Sequence, residues 1–253
     1  MLFSGITSNT FRSLDFQKVI GSTKIAQLEG VEWECDVHVP LGNVQMAEII
    51  KKQTLDAGLK IFSIGSYFKA GDSYDASKAF LPVIDCAQTL KTPVIRVWVG
   101  SRSSVNCDEE YYKKVLKDTK TICNMAWRAA KTVCFESHRG TLSDSPQLIL
   151  RLIKDAETDN LKMNWKPNRE KTFEENQADL RLILPHLQHI HVSNKSQKGD
   201  GILLSEAAEE WKRYIEIIRQ NPKNKCFFLR FIMNDGFKRL DEDAALLNSW
   251  IRP

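Results

Sequence analysis

The sequence predicts an α/β protein, a single (β/α)8 TIM barrel spanning residues 1–253 as one domain. Three observations predict it. Short apolar runs alternate with helical stretches along the whole chain, which indicates a parallel sheet. Eight such strand–helix units fit into 253 residues, the size of a closed eight-stranded barrel. Nearly every apolar run ends in a cluster of charged, polar or aromatic residues, where parallel α/β folds build their sites. An open doubly wound sheet is the second choice. It usually needs fewer units, and no Gly-x-Gly-x-x-Gly follows the first strand.

The first unit is the apolar run Leu2–Thr7 and a helix over 15–28, which Gly30 is expected to stop. The second is a strand over 31–39 and a helix over 43–57, closed by Gly58. A third strand covers 59–64, with a helix over 75–90. Pro93 opens the fourth strand, 94–99, tipped by Gly100 and followed by a long helix from 107 to 130. The fifth strand is Thr132–Glu136, with a helix from near Ser145. The sixth is Leu161–Trp165, with a helix over 172–184, and Pro185 precedes the seventh, Leu187–Val192. A helix over 205–220, a strand over 226–232 and a helix over 239–250 complete the count.

Composition fits a soluble globular domain: 42% hydrophobic and 27% charged. A chain of this length buries a large core without disulfides or structural metals. The six cysteines form no Cys-x-x-Cys pair, so reduced, buried thiols in the cytoplasm are expected. The net charge of +4 is too mild to imply a nucleic acid or membrane partner. No signal-peptide pattern opens the sequence, and no apolar stretch approaches a bilayer span. Oligomeric state is left open, a homo-oligomer included.

In a barrel the chemistry lies where strands end. Those positions hold Thr7, Ser8 and Asn9; Glu34, Asp36 and His38; Ser66, Tyr67 and Lys69; Arg96, Trp98 and Arg102. They continue with Glu136 and His138; Trp165, Lys166 and Asn168; His191, Ser193, Asn194 and Lys195; and Arg230, Asn234 and Asp235. This set suits a small polyhydroxylated or anionic ligand. Trp33, Trp98 and Trp165 either stack on a sugar face or pack in the core. Arg, Lys, Asn and Ser bond to hydroxyls or a phosphate. Glu136 is a metal ligand, a general base, or a carboxylate held by a neighbouring cation. His189 and His191 share one strand face, and His191 is either a metal ligand or a hydrogen-bonded core histidine.

Several segments, in order, carry a resemblance. They are GVEWECDVH at 30–38, GSY at 65–67, IRVWVG at 95–100, FESHRGTLSD at 135–144, NWKPN at 164–168 and HIH at 189–191. The last is FLRF at 228–231, followed by DEDAA at 241–245. Together they make the chain similar to the xylose isomerase-like TIM barrels, sugar phosphate isomerases and epimerases related to endonuclease IV. The resemblance implies one divalent metal, Mn2+ or Mg2+, held by a Glu on strand five, an Asp on strand six, a His on strand seven and a Glu on strand eight. The two glutamates would move a proton between neighbouring carbons of a ketose. Glu136 matches the first position and His191 the third. The sixth-strand position falls near Asn164, and the eighth falls on Arg230.

Those departures predict a weak or absent metal site. A hard cation draws most of its affinity from anionic oxygen ligands. Like charges about 4 Å apart repel by roughly 4 kcal/mol at an effective dielectric near 20, and a divalent ion doubles that. Glu136 is then expected to pair with Arg230 or Lys166, which lowers its basicity. A metal held elsewhere, by Glu34, Asp36 and His38, is a minor option. The function expected is a sugar or sugar phosphate isomerase or epimerase, with no cofactor or a weakly bound divalent metal. The alternative is a non-catalytic sugar-binding barrel. Glu136 is the expected acid–base group and Lys166 a Schiff-base nucleophile if burial and cations lower its pKa. His38, Tyr67, Arg96, Trp98, His138, Trp165, Asn168 and Arg230 are the expected substrate contacts. An endonuclease-like metal cluster lacks sufficient His and carboxylate residues.

Overall fold

The computed structural model describes residues 1–193, 203–230 and 236–252. Of the strand-end residues named above, Asn194, Lys195, Asn234 and Asp235 lie outside the described residues. Eight parallel strands close into a barrel in chain order. They are β1 (Leu2–Thr7), β2 (Gly30–Glu34), β3 (Lys60–Lys69), β4 (Val94–Trp98), β5 (Thr132–Glu136), β6 (Leu161–Trp165), β7 (Leu187–Val192) and β8 (Lys225–Leu229). The helices between and after them are α1 (Phe16–Ile25), α2 (Val44–Asp56), α3 (Ala76–Thr89), α4 (Glu109–Arg128), α5 (Pro146–Ala156), α6 (Phe173–Ile183), α7 (Ala208–Arg219) and α8 (Gly236–Ile251). The barrel closes where Ser4 of β1 pairs with Phe227 of β8.

The helices start where side chains replace the missing backbone partners. Asp15, Asn43, Asp75, Asp108 and Ser145 each accept from a backbone N–H two or three residues on, and Thr172 forms a reciprocal capping box with Glu175. Gly58, with φ of 80°, ends α2 as expected, and Leu59 N donates back to Thr54 O at 3.1 Å. The end of α1 differs. Gln27, at φ 56°, takes the left-handed turn and Leu28 N donates to Thr23 O, so the helix stops before Gly30, which begins β2. The second strand also ends early. The amides of His38 and Val39 turn back onto Glu34 O, which converts 35–39 from expected strand into a turn. β3 runs five residues beyond the expected end at Ile64, and α7 starts after a short 3-10 turn at Leu204–Ala207.

Alternation along the strands separates two environments. Val31, Trp33, Ile95, Val97, Val133, Phe135, Ile190 and Val192 are buried against the helical shell. Their neighbours point into the barrel. The lower interior is aromatic: Phe62 lies 5.4 Å from Phe3 and 6.1 Å from Phe228, and His189 stands edge-on to Phe228 at 5.2 Å. The upper interior is ionic, with Glu32, Glu34, Arg96, Glu136 and His191 all buried. All six cysteines are free thiols, and five of them are buried. Among the described residues no helix is long and apolar enough to cross a membrane.

Gly65 of β3 is a close-approach position. A Cβ there would collide with Arg96 Nη2 and Glu34 Oε2. Gly65→Ala is expected to destabilise the fold by about 1–3 kcal/mol through overpacking, measured by denaturant unfolding. An unchanged midpoint would show that this approach is not tight.

Candidate active site

Arg96 sits at the centre of the upper interior because its strand position faces inward, and it survives burial by meeting three carboxylates. Its Nε donates to Glu32 Oε1 at 3.0 Å, Nη2 to Glu34 Oε1 at 2.5 Å and Nη1 to Glu136 Oε2 at 2.5 Å. Arg96 is expected to hold substrate; in the structure its guanidinium is enclosed and engaged by three carboxylates. Glu32 also accepts from Ser63 Oγ at 2.6 Å. Burial opposes its ionisation, but Arg96 and His191 outweigh that and hold its pKa below the usual range.

Glu136, at the end of β5, receives four donors. Oε2 accepts from Arg96 and, at 2.9 Å, from Trp98 Nε1. Oε1 accepts from Lys166 Nζ at 2.7 Å and Arg230 Nη1 at 2.6 Å. The expected pairing with Arg230 or Lys166 is thus present with both. Burial disfavours its charge, yet Lys166, Arg96 and Arg230 together hold the pKa well below the carboxylate range. So ionised and so engaged, Glu136 is a poor base, which argues against its expected acid–base role. Lys166 has its side chain 20% exposed. Burial lowers its pKa, Glu136 opposes the shift, and Arg230 adds to it.

His191 Nδ1 lies 3.0 Å from Arg230 Nη1, and Nε2 lies 2.9 Å from both Glu32 Oε1 and Asn164 Nδ2. Strand alternation does bring His189 and His191 to the same interior face. His189 sits lower, where burial pushes its pKa down to about 4. The four positions that the family uses for a metal therefore present one saturated carboxylate, one amide, one engaged imidazole and one guanidinium. That donor set does not fit a divalent cation. Among the described residues no three His, Cys, Asp or Glu side chains are placed to hold a metal ion.

A cavity of about 600 Å³ opens beside this cluster, with His138, Lys166, Asn168 and Arg230 in its wall. His138 Nδ1 donates to Arg139 O at 2.7 Å, so Nε2 keeps its lone pair. Its ring stacks on Trp98 at 4.4 Å, and the Tyr67 ring stands tilted to Trp98 at 5.6 Å, so Trp98 is flanked by protein rings. Asn168 shapes the turn after β6: its amide N–H donates to Asn176 Oδ1 at 2.7 Å. Tyr67 OH lies at the mouth, 3.5 Å from Arg12 Nη1.

Two further expected contacts are engaged by the protein itself. Trp165 is 2% exposed and packs edge-on against Trp211 and Tyr214 of α7, so it reaches the cavity wall as part of the core and offers no open platform. His38 is buried, accepting from Ser8 Oγ at 3.0 Å and donating to Leu14 O at 3.1 Å. It fixes the turn after β2, and the same Ser8 Oγ accepts from Glu34 N at 2.9 Å. Glu32 is absent from the expected site residues, and Glu34 enters them only as a metal-ligand option with Asp36 and His38. Two glutamates two residues apart on one strand must share a face; that spacing was the available signal.

Glu34 Oε2 has no hydrogen-bond partner among the described residues. Burial pushes the Glu34 pKa up to about 7, against Arg96 and Arg230 and aided by Glu32 and Glu136. A carboxyl whose pKa is raised by folding adds stability below its unfolded value, and that stability is lost as pH rises through about 7. Wild-type melting temperature is therefore expected to fall from about pH 5 to pH 7 by more than that of Glu34→Gln. Parallel profiles would show that Glu34 does not titrate in this window.

Residues 23–228 match the family model described as xylose isomerase-like TIM barrel. A 3-dehydroshikimate dehydratase of Bacillus anthracis is 25% identical over 152 residues, an alignment that takes in 56% of this chain and 52% of that protein. The chain thus spans about half the length of the curated relative it matches. Among solved structures, the probable 3-DHS dehydratase involved in petrobactin synthesis from Bacillus anthracis superposes with a TM-score of 0.82 at 20% identity, over 98% of this chain and 99% of that one. The D-psicose 3-epimerase of Clostridium cellulolyticum H10 does so with a TM-score of 0.71 at 14% identity, over 98% of each chain. The 3-keto-D-glucoside 4-epimerase of E. coli gives 0.75 at 14% identity, over 98% of this chain and all of that one. These structures share the barrel fold, and the family match covers most of the sequence: the chain belongs to the xylose isomerase-like TIM barrel family.

Proposed function

We propose that the barrel mouth binds a small carbohydrate or sugar phosphate and acts on it as an isomerase- or epimerase-type enzyme. The observation that supports this reading best is the cavity at the C-terminal ends of β5 and β6, with Lys166, Arg230 and His138 in its wall. Lys166 and Arg230 donate to a carbonyl, hydroxyl or phosphate oxygen of the ligand, and their charge stabilises an oxyanion as it develops. His138 Nε2, with its tautomer fixed through Arg139 O, accepts from a ligand hydroxyl or takes up a proton. Glu136 anchors the cations. The donors at the family's metal position do not suit a divalent cation, so these side chains supply the polarising charge themselves.

One observation favours a second reading, a non-catalytic carbohydrate binder. Glu136, which the resemblance assigns to proton transfer, is saturated by four donors. A thermal-shift screen of sugars, sugar acids and sugar phosphates would find the ligand. NMR in D2O would then follow solvent deuterium entering the carbon beside its carbonyl. Exchange is expected in the wild type and should fall by roughly 100-fold or more in Lys166→Met, while the ligand still raises the melting temperature. Binding with no exchange selects the non-catalytic reading. No binding across the screen overturns both.

A further inference from the structure

The guanidinium of Arg230, a ligand contact in the functional reading, also occupies a second set of partners inside the barrel. Arg230 follows β8, and its backbone N–H donates to Val192 O at 2.9 Å, so the side chain enters the barrel beside β7. Nη1 reaches Glu136 Oε1 at 2.6 Å and His191 Nδ1 at 3.0 Å. These are the two residues that match the family's metal ligands.

We propose that Arg230 is a built-in replacement for the family's divalent cation, so that Glu136 and His191 hold a guanidinium where their relatives' residues hold a metal.

The lone pairs argue for it. Arginine is a donor only, so the nitrogen facing it, His191 Nδ1, must be the acceptor. The ring proton is then on Nε2, where Glu32 Oε1 at 2.9 Å accepts it, and the Asn164 amide, 2.9 Å from the same nitrogen, turns its oxygen and not its NH2 toward that proton. Neither nitrogen of His191 keeps a lone pair for a metal. An ionised carboxylate offers about four acceptor sites, and Glu136 takes donors from Arg96, Trp98, Lys166 and Arg230. Asn164 adds a neutral amide in place of a carboxylate. A metal entering here would have to displace hydrogen bonds from Lys166 and Arg230 and then sit beside their charges. The replacement changes what the site offers. A guanidinium supplies fixed N–H donors and a positive charge, without the open coordination position of a metal.

The test reads ions and not turnover. Metal content of the purified protein and its melting temperature in millimolar Mn2+, Mg2+, Co2+ and Zn2+ are measured first. No stoichiometric metal and no shift are expected. The double variant Arg230→Glu/Asn164→Asp removes the guanidinium and puts carboxylates on strands eight and six. It is expected to bind Mn2+ at least roughly 100-fold more tightly than wild type by calorimetry, beyond what outer-shell changes alone produce. Stoichiometric metal in the wild type that is lost in Glu136→Gln overturns the proposal. So does a folded double variant that leaves Mn2+ unbound. If the double variant does not fold, Arg230→Ala is titrated with millimolar methylguanidinium, which should recover part of its lost melting temperature without moving that of the wild type. No recovery overturns the proposal. Failure of the sugar screen leaves these readouts untouched, so the two proposals stand or fall separately.

Discussion

The mouth of the barrel depends on the guanidinium of Arg96. Two glutamates from β2 and one from β5 converge in the upper interior, and three buried carboxylates cannot coexist there without a shared cation. Arg96 gives each of them a separate N–H at 2.5–3.0 Å. Removing one partner from a buried ion cluster costs about 3–5 kcal/mol because the survivors stay uncompensated. The order of the site follows from this contact. Arg96 fixes one oxygen of Glu136, and the other oxygen then gathers Lys166 and Arg230. Trp98 and, through it, His138 are set by the same carboxylate. Gly65 leaves the room that Arg96 and Glu34 need.

The barrel keeps the architecture of its family while its mouth has different electrostatics. A metal site concentrates charge in one ion and lets substrate oxygens join the coordination shell. Here the positive charge is spread over Arg96, Lys166 and Arg230, each tied to Glu136. Of the three, Arg96 is enclosed, while Lys166 and Arg230 stand in the cavity wall. The same cluster holds Glu136 ionised and reduces its value as a base.

The fold was legible because it is written locally and eight times over. Caps such as Asp15, Asn43 and Thr172 stand one residue before their helices, and β-branched runs mark the strands. Chain ends of elements were less legible where a non-glycine residue does the turning, as Gln27 does. The site was partly legible. Lys166 and Arg230 could be matched to Glu136 because charge balance demands a partner for a carboxylate in a barrel mouth. Arg96, His38 and Trp165 could be placed at strand ends, but whether each faces a ligand or the protein depends on neighbours from distant strands and helices. Trp165 is covered by Trp211 and Tyr214 from α7, which lie more than 40 residues further along the chain. Glu32 is not legible as a site residue because it lies two residues before the tip of its strand.

The aromatic layer beneath the ions has a consequence of its own. Phe3, Phe62 and Phe228 fill the lower interior, with His189 against them. Hydrocarbon rings offer no hydrogen bonds, so the buried ions above them are satisfied by one another and by the strand residues around them. His189 is the polar ring in this layer, and burial, which pushes its pKa down to about 4, leaves it uncharged beneath the carboxylates. A floor without charge gives the ion pairs above it a weakly polarisable neighbour on one side, where each attraction is stronger than it would be in water.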